Sequence, residues 1–381
     1  MSSPSFTHIN KKRTGRVFLM YRCLVLLVFI AFIYSNHVLA SFAPTAAELQ
    51  EQDYILEQLN HILDEPHITS KEESVKLAHQ LFESLNEEQK EEMILPLNKA
   101  IAHRWSNLPI NQASRNGVPL SELNTQSFIL AMLLLQANLS PLGFEHMTEI
   151  IKADYFLSTT IKNPPFKWGA QEYYISIHGN PSYTKPWMIQ LTGHHLAENI
   201  FINRSKTTIT PEFTGTQPRI FQINNRTYHP MNAKVNAVHA LLLSLCNEQK
   251  QQSKLNDEFN DILLGPGNDQ SFPTQEGLLI KNLNTEQQIQ VKHMIEEWVA
   301  HAPYEARKAL LHTYLSQEQL QKTTIAWAGS TSIKRPGSYF RIDGPQIWIE
   351  IYSKEGVANK KQAHVHSIWR DKLNDYGGIL K

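Results

Sequence analysis

The chain has 381 residues, with 36 basic and 36 acidic side chains, 17 histidines and two cysteines. Balanced charge, with no long basic block beyond the N-terminus, argues against nucleic acid as a partner. Cys23 lies in an apolar N-terminal stretch and Cys246 is the only other cysteine, so no disulfide framework holds the remainder together and stability has to come from a core.

The first forty residues fall into three zones. Lys11, Lys12, Arg13, Arg16 and Arg22 make a basic start, Cys23 to Tyr34 is apolar, and Val38-Leu39-Ala40 gives a small-x-small exit before Ser41. An apolar run of about 12 residues is shorter than the roughly 17–25 that span a bilayer. The pattern predicts a signal peptide over residues 1–40, with Met20 as an alternative start. An uncleaved N-terminal membrane anchor beginning near Val17 is the other reading. Both place the rest of the chain outside the cytoplasm, periplasmic or secreted.

Leu49, Tyr54, Ile55, Leu59, Ile62 and Leu63 recur at helical spacing, as do Val75, Leu77, Ala78, Leu81 and Phe82. A second helical stretch runs from Gln126 to Leu157, interrupted near Ser140-Pro141. Short segments rich in aromatic and β-branched residues follow, at Tyr173 to His178, Trp187 to Thr192 and Leu196 to Ile202. Helical periodicity returns at Ala233 to Cys246 and Thr285 to Leu315. Strand-like patterning returns at Thr323 to Ala328, Ser338 to Ile342 and Gln346 to Tyr352.

This alternation points to an internal repeat. Ser84-Leu85-Asn86-Glu87-Glu88-Gln89-Lys90 matches Ser244-Leu245-Cys246-Asn247-Glu248-Gln249-Lys250, and Leu123-Asn124-Thr125 matches Leu283-Asn284-Thr285, both offset by 160 residues. Gly179, Ser182 and Pro186 match Gly329, Ser332 and Pro336 at an offset of 150, and Gly193 pairs with Gly344 at 151. The expected fold is α+β. It is one domain over 41–381 made of two diverged repeats, about 84–218 and 244–378, each with helices followed by antiparallel strands. Clefts often form between such halves.

Histidines carry the candidate chemistry. His364-Val365-His366, if extended, puts two imidazoles on one face, as a Zn, Cu or Fe site requires. Gly193-His194-His195-Leu196 lies between two predicted strands, where regular alternation admits one imidazole to a given site unless a turn intervenes. Asp371 is a candidate to orient a ligand histidine, and Arg370 to clamp Asp371 or a substrate carboxylate. In Ile347-Trp348-Ile349-Glu350-Ile351-Tyr352 the isoleucines form one face. Glu350 therefore belongs to the other, either half-exposed on the wet side of a sheet or acting as a ligand or base, with Arg341 as its candidate partner. No Gly-x-Ser-x-Gly elbow, phosphate loop or dinucleotide fingerprint is present. Cys246 follows an apolar helical run and reads as a buried, inert thiol.

Five runs together resemble one family: Gly193-His194-His195-Leu196, Thr210-Pro211-Glu212-Phe213-Thr214-Gly215, Ala326-Trp327-Ala328-Gly329, Tyr339-Phe340-Arg341-Ile342-Asp343-Gly344-Pro345 and His364-Val365-His366-Ser367-Ile368-Trp369-Arg370-Asp371. The family is a bacterial domain of unknown function, number 3500, and the resemblance covers about Leu77 to Gly378. It implies no activity. The chain departs from the family pattern at Ala197-Glu198-Asn199, where the resemblance implies Ser-Leu-Asn. It departs again at Lys372-Leu373, where a proline is expected after the Arg-Asp pair.

In the repeat register, Pro345 and Gln346 stand where the first half has His194 and His195. A site built from both halves follows, with His194 or His195 joining His364 and His366. Three imidazoles with an open position suit a metal-dependent enzyme, hydrolytic or oxidative, acting on a small molecule. The rival is a non-catalytic exported protein: an envelope interaction protein, or a ligand-binding protein whose Trp168, Tyr173, Trp187, Trp327, Trp348 and Trp369 line a cleft and which needs no cofactor. Convergence of the imidazoles separates these readings.

Overall fold

Several of the described helices start where a short polar side chain caps the first turn. In the computed structural model, which describes residues 42–380 apart from 68, 69, 205, 358, 359 and 361, Thr45 and Glu48 form a reciprocal capping box at the start of helix α1 (Ala46–Asp64). Ser70 caps α2 (Lys71–Ser84), and Asn86 with Gln89 caps α3 (Glu87–Met93). A short strand β1 (Ile94–Leu95), helix α4 (Lys99–Ala102) and strand β2 (Val118–Pro119) lead to α5 (Thr125–Gln136) and α6 (Pro141–Thr160). Ser140 caps α6 with proline at its first position, which explains the interruption seen in the sequence. The predicted signal segment lies outside the described residues. None of the described helices is long and apolar enough to cross a membrane.

The strands β3 (Tyr174–His178), β4 (Trp187–Gly193), β5 (Leu196–Asn203), β6 (Lys206–Thr208) and β7 (Glu212–Thr216) follow, then a separate hairpin of β8 (Phe221–Ile223) and β9 (Arg226–Tyr228). Helices α7 (Asn232–Ser244) and α8 (Asn247–Ser253), strand β10 (Leu278–Leu279) and helices α9 (Thr285–Val299), α10 (Tyr304–Tyr314) and α11 (Gln317–Gln321) come next. The expected single helix over 285–315 is thus two, because Pro303 stands immediately before α10 and cannot continue a helical hydrogen-bond ladder. Strands β11 (Thr324–Ala328), β12 (Ser338–Asp343), β13 (Ile347–Glu355) and β14 (Ala363–Asp371) complete the fold.

The fold is α+β around one mixed sheet ordered β1-β3-β4-β5-β7-β14-β13-β12-β11-β10. Its pairings are antiparallel except β1 with β3. Each half of the chain contributes five strands to this order, β1, β3, β4, β5 and β7 from the first and β10 to β14 from the second, running inward in chain order from β3 and from β11 to meet at the β7–β14 pair. Gln89 and Gln249, and the caps Asn124 and Asn284, stand at the starts of α3, α8, α5 and α9, so the recurring sequence runs occupy recurring positions. From Ala43 onward the described residues pack as one compact unit.

Side-chain alternation gives the sheet two unlike faces. Ile175, Ile177, Ile189, Leu191, Leu196, Ile342, Ile347, Ile349, Ile351, Val365 and Trp369 pack with the helices in the main core. Burying each such side chain contributes about 1.5–3 kcal/mol. Ala197, Phe213, Tyr339, Tyr352 and Ile368 point the other way and pack with Trp105, Leu255 and Ile262. One of the two readings of Glu350 makes this second face the wet side of the sheet. Instead the connection between α8 and β10 lies across it, and Glu350 is completely buried. Cys246 also departs from expectation: it is the exposed N-cap residue of α8.

Candidate metal centre

The β4–β5 connection is the tightest a hairpin allows. Gly193 pairs with Leu196, so His194 and His195 alone make the turn, and His195 takes φ +65°, a conformation that usually calls for glycine. The turn breaks the strand alternation that would have sent the two rings to opposite faces. They lie against each other instead, with centroids 3.5 Å apart and planes inclined at 35°. Gly193 makes room for this: a Cβ there would meet the Tyr173 ring at 2.3 Å.

Strand β14 brings the other two imidazoles. His364 and His366 share one face, as their spacing predicts, and His366 pairs in register with Gly215 of β7. The backbone N–H of Gly215 donates to the His195 carbonyl at 2.8 Å, which fastens the turn beside the β7–β14 pair. A Cβ on Gly215 would lie 3.2 Å from both the His195 and His366 rings and 2.7 Å from the Val365 carbonyl, so the absent side chain leaves the space the rings use.

Among the described residues, two groups bring three metal-ligating atoms within 4.8 Å of one another: His195, His364 and His366, and Asp154, His194 and His195. In the first, His195 Nε2 and His364 Nε2 are 2.5 Å apart. His366 holds its Nδ1 2.7 Å from Asp261 Oδ1 and leaves a buried Nε2 without a partner. With Asp261 accepting from Nδ1–H, the lone pair of His366 is on Nε2, the arrangement of a metal-ligating histidine oriented by a carboxylate. Burial, reinforced by the neighbouring imidazoles, pushes His195 and His364 well below the ordinary histidine value. Burial also lowers His366, opposed by Asp261. Neutral imidazoles are the form that binds metal. All three are buried, His364 the least so at 8% exposure.

Both orienting carboxylates escaped the reading of the sequence. Asp154 sits on α6 and accepts from Tyr173 Oη at 2.8 Å while its other oxygen is 2.7 Å from His194 Nδ1. Burial raises its pKa, with His194 and Tyr173 opposing. Its signal was available: with Met147, Ile150, Ile151 and Leu157 it lies on an apolar helical stripe, where an aspartate is out of place. Asp261 lies in the connection over the second face. Burial pushes its carboxyl up, but His366 and Lys354 outweigh that and hold it below the usual range. Nothing in the local sequence marks it.

The other four candidate residues have different partners from those expected. Glu350 accepts from the Leu263 and Leu264 backbones, Tyr339 Oη and Trp348 Nε1 at 2.5–2.9 Å, so it ties down the α8–β10 connection and takes no part with the imidazoles. Arg370 donates to the Leu264 carbonyl and is paired with Asp269 and Asp375. Asp371 lies on the helix face of β14, where it accepts from Tyr314 Oη, Gln346 and the turn backbone at Leu373 and Asn374. Alternation along the strand puts it on the face opposite His364 and His366. Arg341 sits opposite Glu350 in register, yet it pairs with Glu276 and covers the Trp348 ring. The six aromatics expected to line a cleft are all buried; Trp369 packs on Tyr314 under the helices, while Trp348 lies under Phe272 on the other face.

No curated protein and no solved structure matches this chain. A family described as "Protein of unknown function (DUF3500)" matches residues 68–378, which is most of the chain and includes all four histidines. The chain belongs to the DUF3500 family.

Proposed function

We propose that the protein is an exported metalloprotein, a metal-dependent enzyme acting on a small molecule, with Zn, Cu or Fe held by His195, His364 and His366. The observation that carries this is the buried convergence of three imidazoles, one of them oriented by Asp261. Three nitrogen ligands with a further position left to substrate or water is the donor set of catalytic rather than structural sites. A bound zinc would supply Lewis acidity, and copper or iron redox chemistry. The chain's own contribution is orientation and exclusion of water. Asp261 fixes the His366 tautomer, while Glu350 and Arg370 hold the connection that carries Asp261. Export rests on the basic start, apolar run and small-residue exit of residues 1–40.

We further propose that the two halves descend from a duplication, supported by the mirrored strand order and the recurring caps. In that register the hairpin following Asp343 is the relative of the His194-His195 turn, and one half alone retained imidazoles there.

The test is metal analysis by mass spectrometry of the mature chain from Ser41, purified without a histidine tag, beside a His364→Ala/His366→Ala variant. The expected result is near-stoichiometric Zn, Cu or Fe that is lost in the variant. Wild-type protein that stays free of metal after reconstitution would end the metalloenzyme reading. A metal-loaded protein then enters hydrolytic and oxidative activity screens.

A further inference from the structure

We infer that His195 is shared between two metal positions, so that the centre binds a pair of divalent transition-metal ions: one at His195, His364 and His366, the other at His195, His194 and Asp154. This rests on the proposed metal site and extends it.

The starting point is an orphan atom. His195 is 1% exposed; its Nε2 faces His364, while its Nδ1 is buried and has no hydrogen-bond partner. A histidine that binds a single metal almost always donates its second N–H to a carboxylate, a carbonyl or water. His366 meets that rule through Asp261, and His195 does not. A second cation on Nδ1 supplies the missing partner.

The residues for that second position are already in place. Asp154, His194 and His195 bring ligand atoms within 4.8 Å of one another, and all three are buried. Asp154 Oδ1 and His194 Nδ1 are 2.7 Å apart, and the other carboxylate oxygen is steadied by Tyr173 Oη. Tyr173 Oη also lies 2.8 Å from the His194 carbonyl, so one phenol fixes both the carboxylate and the turn. Two imidazoles and a carboxylate suit Zn²⁺ or Cu²⁺. The first position offers three imidazoles, and the second two imidazoles and a carboxylate. A His195 ring ligating through both nitrogens releases its remaining ring proton to solvent and becomes an anion between two cations.

The tight turn also gains a purpose. Leaving the strand alternation lets the neighbouring rings of His194 and His195 lie 3.5 Å apart, so that His194 can join the second position while His195 serves both.

The test uses the full mature chain, stripped of metal and titrated with Zn²⁺ against a competing chelator, then with Cu²⁺ for electron paramagnetic resonance. The wild type should take up about two equivalents. His194→Gln and Asp154→Asn should each take up about one, and that retained equivalent shows that these variants fold. With copper, spins coupled through a shared imidazole should give an integrated signal well below two per chain. His194→Gln should restore a full single-copper signal. One equivalent in the wild type, unchanged by His194→Gln, would overturn the shared position while leaving the three-histidine site intact. Zero equivalents would overturn both. Two equivalents with uncoupled spins would place the second ion elsewhere and also overturn the inference.

Discussion

Gly215 is where the smallest side chain has the largest reach. Adding one methyl group would press on two imidazole rings and a carbonyl at once, at 2.7–3.2 Å. The Gly215→Ala variant should lose about 1–3 kcal/mol in urea unfolding, the usual cost of overpacking, and should bind metal more weakly than the wild type. Unchanged affinity would mean that the rings do not hold the ion. Glu198 poses the opposite problem. It lies on β5 near Glu212, and both its oxygens are buried and without hydrogen-bond partners. Burial and then Glu212 push its pKa well above the usual value, while Lys234 and His301 serve Glu212. Glu198→Leu should therefore stabilise the fold by about 1–3 kcal/mol, the cost of a buried polar group without a partner; a loss of stability would show that Glu198 has a partner in solution. His178 on β3 supplies a pH effect. Burial, with Arg104 adding to it, lowers its pKa from 6.5 to about 4. Its contribution is fully present above pH 6.5 and is lost as pH falls toward 4, about 3 kcal/mol in all. His178→Asn should flatten the acid limb of a stability–pH curve by that increment; an unchanged slope would contradict the assignment.

At the scale of elements, the α8–β10 connection behaves as a built part. Glu350 satisfies four donors, two of them from the backbone of this connection, and Arg370 binds its carbonyls. Glu350→Gln replaces an acceptor with a donor facing those same N–H groups. It should raise hydrogen exchange at Leu263 and Leu264 and weaken metal binding through Asp261. Asp261→Asn should lower affinity about 10–100-fold, as loss of an orienting carboxylate generally does, without the change in exchange. The outer strands were legible because Ile347, Ile349 and Ile351, or Ile175 and Ile177, alternate against a single apolar layer. The two central strands were not, since both faces of β7 and β14 are buried and both carry polar groups: Glu212 and Thr214 on β7, Ser367 and Arg370 on β14. A pattern search for one apolar face misses such strands. It likewise assigns Glu350 to solvent, because a covering loop leaves no periodic trace.

Across the whole molecule, the mirrored strand order places the join of the two halves at β7–β14, and the imidazoles gather at that join. The expectation of a site drawing on both halves came from the sequence offsets. The choice of His195 over His194 as the companion of His364 and His366 did not, because it depends on a two-residue turn and a positive φ that composition does not announce. Asp371 was the natural carboxylate to pair with those histidines by proximity in sequence. Strand alternation sends it to the opposite face, and the distant Asp261 takes that place beside His366, while Asp154 pairs with His194.

The most direct test is anomalous diffraction from crystals of the metal-loaded protein, recorded above and below the absorption edge of the bound metal. An anomalous peak about 2.0–2.1 Å from nitrogens of His195, His364 and His366 is the predicted result. A peak confined to surface carboxylates, with the three imidazoles bonded only to one another or to water, would contradict it.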